Sequence, residues 1–246
     1  YKRQGYMYGI NRGLIALGLF EDEADIANSP RQEFGSYLPG DIKYKDVNGD
    51  GLVNSDDNVP LEYSSTPQIQ YGLATEFNWK NFNVSILFEG TARMKYFRGG
   101  NMYNPFAGKE TGNVITDYAN PANRWISREI SGTVATENPN AKYPRLSYGG
   151  SWNNCLNSTF WLQDGSYLRL KNVQISYMMK NEFLRKFGLQ SAQISLIGEN
   201  LAVWSKEDML DPSQAQYNGT KYPIQRVYTV QLNLACLFYT SPSPRD

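Results

Sequence analysis

The segment IQYGLATEFNWKNFNVSILFEG, residues 69–90, restricts the fold more than any other part of the chain. Ile69, Tyr71, Leu73, Thr75, Phe77 and Trp79 alternate with Gln70, Gly72, Ala74, Glu76 and Asn78. Successive side chains leave a strand on opposite faces, so strict alternation predicts a strand with one apolar and one polar face. Lys80-Asn81 then reads as a tight turn. The return strand sets Phe82, Val84, Ile86 and Phe88 against Asn83, Ser85, Leu87 and Glu89. An isolated hairpin is marginal in water, so the remaining chain has to extend this pair into a sheet.

Three further segments do so. Residues 191–200 alternate Ala192, Ile194, Leu196 and Gly198 with Gln193, Ser195, Ile197 and Glu199. Residues 228–234 set Tyr228, Val230, Leu232 and Leu234 against Thr229, Gln231 and Asn233. In YLRLKNVQISYMM, Leu168 and Leu170 are out of phase with Val173, Ile175, Tyr177 and Met179. A one-residue bulge near Lys171-Asn172 restores a single face. The opening YMYGINRGLIALGLF supplies one or two more strands. Helical signal is weak: EDEADIA (21–27) reads as one turn, and NEFLRKFGL (181–189) as a short helix ending at Gly188.

Residues 94–157 and 205–223 are rich in Asn, Gly, Pro and Tyr and hold no period. A structureless run of this length counts against a compact soluble domain. Outer-membrane barrels, by contrast, combine short turns on one side with long external loops on the other. A β-sandwich also alternates its faces, so periodicity leaves two all-β readings open: an antiparallel transmembrane β-barrel, or a sandwich. They differ in what covers Tyr71, Phe77, Phe82 and Phe88: lipid in the first, a second sheet in the second. No domain boundary and no fixed-period repeat is evident.

Composition excludes several classes. The 24 basic and 24 acidic residues balance, which removes the surplus of positive charge that nucleic acid requires. There is no histidine, so imidazole chemistry is absent. Cys155 and Cys236 have no zinc-type spacing, and their pairing stays undecided. The chain opens YKRQGYMYGI, without a leader peptide or an initial Met, and is expected to be a piece of something longer. No apolar run reaches the roughly 20 residues of a membrane helix, which says nothing about barrel strands. The aromatic load of 18 Tyr, 11 Phe and 5 Trp suits strands and membrane girdles. Trp125, Trp152, Trp161 and Trp204 read as exposed, fit for stacking on sugars or for a membrane interface. Acidic residues on polar strand faces read as solvated, and no catalytic pair is expected.

DVNGDGLVNSDD, residues 46–57, is the chain's densest acidic stretch. An EF-hand-type calcium loop places oxygens at positions 1, 3, 5, 7, 9 and 12, with glycine at 6. Counting from Asp46 gives Asp46, Asn48, Asp50, the Leu52 carbonyl, Asn54 and Asp57, with Gly51 at the glycine position. Asp57 reaches less far than the usual glutamate. The flanks are β-like before the loop, and Pro60 stops any helix after it, so this is a calcium-type loop without an EF-hand domain. The plainer alternative is an empty polar turn, since Asn, Asp and Gly are also the commonest turn residues. If calcium binds, its role is structural, because the chain fills every ligand position.

PGDIKYKDVNGDGLVNSDD, STPQIQYGLATEFNWKNFNVSILFEG, FWLQDGSYLRLKNVQISY and ISLIGENLAVWSK, followed by DP, occur in one order between about residue 5 and residue 235. Together they resemble the C-terminal part of SusC/RagA-type TonB-dependent outer-membrane transporters. The resemblance implies the last strands of a barrel of about 22 strands, plugged by an N-terminal domain absent from this chain. It implies energisation by the TonB complex through that absent region, contact with outer-membrane lipid, and a SusD-like surface lipoprotein as partner. Substrates of such pairs are oligosaccharides, sometimes peptides. The acidic loop falls where the family carries its own DxNGDG segment, between strands on the outer side.

On this reading residues 1–235 are barrel, with 46–57 inserted, and the protein is not an enzyme. The runner-up is a secreted carbohydrate-binding β-sandwich with a structural calcium. The family usually ends on its final strand at an aromatic residue. Here Cys236 stands where Phe is expected and Gln231 where Gly is common. Residues 236–246, CLFYTSPSPRD after the alternation lapses, are therefore expected to be a disordered or foreign tail.

Overall fold

The structure, a computed structural model, describes residues 5–106, 112–180, 182–214 and 218–236. The chain interleaves two units: one comprises Ile69–Thr91, Tyr167–Ser205 and the stretch from Ile224, the other the stretch up to Gln68, Ala92–Ser166 and Lys206–Pro223. Because each unit is assembled from three separated stretches, no shift of composition along the sequence marks a boundary.

The first unit is a five-stranded antiparallel sheet. Its strands are β1 (Ile69–Trp79), β2 (Phe82–Ala92), β3 (Tyr167–Met179), β4 (Leu189–Ser205) and β5 (Val227–Cys236). Their spatial order is β5-β4-β3-β2-β1, so strands that follow one another along the chain lie side by side. At one end the chain turns back within Lys80-Asn81 and within residues 180–188. The excursions 93–166 and 206–226 leave from the other end. Among the described residues this sheet is open at both edges, β1 and β5.

Register aligns the apolar residues into rows. Phe82, Tyr177, Ile194 and Leu232 form one row across four strands; Val84, Ile175, Leu196 and Val230 form the next; Ile86, Val173, Gly198 and Tyr228 a third. The opposite face carries Asn83, Ser176, Ser195 and Gln231 in one row and Ser85, Gln174, Ile197 and Thr229 in another. On that face the Ser176 and Ser195 hydroxyls lie 2.8 Å apart, and Gln174 Nε2 donates to Ser176 Oγ at 3.0 Å.

The expected bulge is present. Leu170 pairs with Phe88 and Asn172 with Leu87, so Lys171 is the extra residue against β2. Leu168 and Leu170 thereby join the face of Val173, Ile175 and Tyr177. Close approach explains one glycine: a Cβ at Gly90 would lie 2.4 Å from the Tyr167 carbonyl oxygen and 2.5 Å from the Tyr71 ring. The Tyr71 hydroxyl donates to that same carbonyl at 2.9 Å. Tyr71, Phe77 and Phe82 are 44, 65 and 43% exposed, and Phe88 is half-buried, so among the described residues no second sheet covers the apolar face as it would in a sandwich. Among the described residues no helix is long and apolar enough to cross a membrane, which leaves strands as a means of crossing untouched.

The second unit departs from the expected polar loops. Leu14, Leu19, Ile42, Tyr44, Val53, Tyr118, Trp125, Tyr143 and Trp161 form a buried core, with the Tyr118 and Tyr143 rings stacked at 4.4 Å. Short ladders frame it: Ile10–Gly13 with Val59–Ser64, Ala16–Leu19 with Ile42–Tyr44, Lys95–Phe97 with Leu162–Asp164, and a parallel pair, Arg31–Gln32 with Leu52–Val53. Where ladders stop, side chains satisfy the backbone. Gln32 Nε2 and Asn153 Nδ2 both donate to the Ile42 carbonyl, Tyr44 N–H donates to Gln32 Oε1, and Ile42 N–H donates to Asn154 Oδ1.

Trp125 and Trp161 are therefore buried rather than exposed, whereas Trp152 and Trp204 are exposed as expected. Trp125 covers Gly40, whose φ of +83° and lack of a side chain let the ring lie where a Cβ would be only 2.3 Å away. The helical turns fall as expected. Glu23–Ala27 is capped by the Asp22 carboxylate accepting from Asp25 N–H at 2.7 Å, and Glu182–Arg185 precedes Gly188 at φ +72°. Both cysteines are free. Cys236 is exposed and pairs with Leu189 in the β4–β5 ladder, and the rest of the expected tail, 237–246, lies outside the described residues.

Candidate functional site

The acidic loop belongs to the second unit and ends in a single 3₁₀ turn, Ser55–Asp57. Its side chains fold back on its own amides. Asp46 accepts from Gly49 N–H at 2.7 Å and Gly51 N–H at 2.8 Å. Asn48 accepts from Asp50 N–H at 3.0 Å, Asp50 from Leu52 N–H at 2.9 Å, and Asn54 from Asp56 N–H at 2.7 Å. Each of these is an Asx turn, the local bond that makes Asn and Asp favourable where the backbone reverses. Gly49 and Gly51, at φ +75° and +83°, supply the left-handed steps. Between them and the turn, Val53 is fully buried and anchors the loop in the core.

Asp57 closes the loop. Its buried carboxylate accepts from Val47 N–H at 2.7 Å, Asn48 N–H at 3.3 Å and Asn54 N–H at 2.9 Å. Burial raises the pKa of this group, but the N–H groups of Asn54, Val47 and Asn48 more than offset it and leave the carboxyl below its ordinary value. The structure thus places all six predicted positions, Asp46, Asn48, Asp50, Leu52, Asn54 and Asp57, on one closed turn. The donor set is all oxygen, as calcium requires. Among the described residues, however, no three Asp, Glu, Cys or His side chains converge as a metal cage. The turn stands on its own hydrogen bonds.

A buried charged cluster in the same unit gave no sequence signal. The Glu207 side chain is fully buried, accepts from Arg98 Nη2 at 2.6 Å and from Met209 N–H at 2.9 Å, and receives the Tyr96 hydroxyl. Arg98 also donates to Asp208 at 2.7 Å, and Lys142 links Asp208 at 3.3 Å to Asp117 at 2.7 Å. Burial and the neighbouring Glu207 carboxylate raise the Tyr96 phenol, so it donates as a neutral group. Every charge has a partner, as burial demands. The cluster therefore ties residues 206–210 to the strand Lys95–Phe97 and to residues 117–143 as an anchor.

No protein-family model matches the chain. Over 236 residues it is 29% identical to TonB-dependent receptor P26 of Formosa agariphila, covering 90% of this chain and 22% of that one. Over 213 residues it is 24% identical to TonB-dependent receptor P3 of the same organism, covering 81% of this chain and 19% of that one. Among solved structures, the RagAB peptide transporter superposes with a TM-score of 0.64 at 18% identity, over 92% of this chain and 22% of that chain. The RagAB peptide importer in its open-open state gives 0.64 at 17% identity, over 94% and 24%.

The chain is similar to a segment of TonB-dependent receptors and shares the fold of the matching part of the RagAB transporter. Its relatives are receptors and transporters, not enzymes, and it spans about a fifth of their length. Among the described residues the five-stranded sheet leaves β1 and β5 as open edges, where further strands could pair.

Asp57→Ala in the whole protein is expected to open the loop, because three amides lose one acceptor. An unpaired buried donor costs about 1–3 kcal/mol. Hydrogen exchange at Val47, Asn48 and Asn54 should accelerate together while amides in the β3–β4 ladder keep their protection. The pH dependence has a definite sign. Since the folded pKa of Asp57 is depressed, its contribution is complete above the ordinary carboxylate value of about 3.9 and is lost as pH falls through the lower folded value. Unchanged exchange in the variant would show that the carboxylate does not hold the loop.

Proposed function

We propose that the receptor containing this segment is an outer-membrane importer of oligosaccharides or peptides, energised by TonB and working with a SusD-like lipoprotein. The observation that carries this reading is the sheet itself: four aligned strands present apolar rows on one face and mostly Asn, Ser, Gln and Thr, with Ile197 among them, on the other. Barrel strands need one face for lipid and one for the aqueous interior. The connections support it, with short turns at one end and long excursions at the other. The interior-type face carries hydrogen-bonding groups, Ser176, Ser195 and Gln174, beside the charged Glu76, Glu89 and Arg169, which suits a polar solute. The likeness to a peptide importer supports the peptide class, and the resemblance to the SusC/RagA family supports the sugar class. Uptake of a labelled oligosaccharide and a labelled oligopeptide, measured in cells producing the whole receptor with and without TonB, tests the proposal. Accumulation of one of them should require TonB. Equal uptake in both strains would make the protein a passive pore.

We propose also that the 46–57 loop takes a structural calcium through Asp46, Asn48, Asp50, the Leu52 carbonyl, Asn54 and Asp57. The spacing of oxygen donors, the glycine at the sixth position with positive φ, and the buried Val53 anchor support it. The ion would compete with the loop's own amides for the same carboxylates. The melting temperature of the whole receptor should rise with calcium over a chelator, and Asp50→Ala should weaken apparent affinity more than about tenfold. No calcium-dependent shift would leave the loop a self-held turn.

A further inference from the structure

We infer that the turn end of the sheet is a docking surface for the phosphate groups of anionic lipids. The inference rests on the membrane reading above and adds a partner chemistry to it. Its first observation is the order of side chains along the lipid-type face. The apolar rows of Val84, Ile175, Leu196 and Val230 give way to Phe82 and Tyr177, whose rings lie 4.7 Å apart. Trp79 stacks on Phe82 at 6.4 Å, and Trp79 is more than half exposed. Beyond this row β3, β4 and β5 add Met179, Ala192 and Leu234 on the same face before the chain reaches the turns.

The second observation is the charge of those turns. Residues 79–82 and 178–190 carry Lys80, Lys180, Arg185 and Lys186 against a single acid, Glu182, in a chain whose net charge is zero. All four cations are exposed, as is Phe187. The two turns belong to one end of the sheet, because Met178 N–H donates to the Asn81 carbonyl at 2.9 Å. Lys80 holds its ammonium 4.9 Å from the Trp79 ring, with the backbone at φ +53°. Its charge therefore sits just past an aromatic group whose amphipathic ring favours the headgroup level.

Apolar, then aromatic, then cationic is the depth profile of a bilayer read from hydrocarbon through interface to phosphate. An acidic protein partner would match the cations but would give no reason for the aromatic rim to lie between them and the apolar rows. The surface fits a phosphodiester lipid whose headgroup carries net negative charge.

The test uses the whole receptor reconstituted into bilayers of phosphatidylcholine alone or of phosphatidylcholine with phosphatidylglycerol. Lipid that stays on the receptor after detergent extraction is counted by mass spectrometry. Phosphatidylglycerol should be retained over phosphatidylcholine by about tenfold at low salt, falling as salt screens the contact. The fourfold variant Lys80→Gln, Lys180→Gln, Arg185→Gln, Lys186→Gln should lose the preference. A control variant in the long connection between β4 and β5, Lys206→Gln, Lys221→Gln, Arg226→Gln, should keep it. Equal retention of both lipids by the native receptor, or an undiminished preference in the fourfold variant, would overturn the inference while leaving the membrane reading intact. So would a native receptor that ignores phosphatidylglycerol but binds polyglutamate through these turns. A folded receptor that inserts into neither bilayer would overturn both readings.

Discussion

Register is the constraint on which the sheet depends. Side chains alternate with a period of two, so a slip of one residue between any two strands would send a whole apolar set to the wrong face. Here four strands keep phase over three consecutive rows, from Phe82 with Tyr177, Ile194 and Leu232 to Ile86 with Val173, Gly198 and Tyr228. The bulge at Lys171 corrects a phase error in the sequence of β3. Without it, Leu168 and Leu170 would face the side of Ser176 and Gln174. Asn200, at φ +54°, absorbs the matching irregularity in β4, where Leu170 pairs with Ala202 and Asn172 with Glu199.

The second unit solves a different problem. Its backbone runs through short ladders and tight turns, so few of its polar groups can be satisfied by strand pairing. Side chains take over: Gln32, Asn153 and Asn154 bond the backbone around Ile42 and Tyr44, and the acidic loop satisfies its amides through Asp46, Asn48, Asp50, Asn54 and Asp57. Tyr, Trp and Ile side chains then close over these networks. Asn-rich and aromatic-rich sequence is what such a unit needs, and its composition resembles that of a solvated loop.

That resemblance separates what the sequence disclosed from what it hid. Strands β1 to β5, the Lys80-Asn81 turn, the bulge and both helical turns were legible because each is written in local spacing. The position of the acidic turn was legible for the same reason, since its donors recur at fixed short intervals. The core around Trp125 and Trp161 was not, because its members come from distant stretches with no period. Glu207 was hidden too. Its partners Arg98 and Tyr96 lie far away in sequence, and an acid beside Lys206 and Asp208 in a polar stretch reads as solvated. The two units leave no mark in the sequence, because the chain enters and leaves each of them more than once.

The central claim is that the apolar rows face lipid and the polar rows face water. β5 offers the cleanest reading, since every residue in it is exposed in the chain alone. Single cysteines at 228 through 234, placed one at a time in a cysteine-free whole receptor, can be challenged in native outer membranes with a membrane-impermeant thiol reagent. Cysteines replacing Thr229, Gln231 and Asn233 should label, and those replacing Tyr228, Val230, Leu232 and Leu234 should be protected. Uniform labelling along the strand, or protection in the opposite phase, would contradict the account.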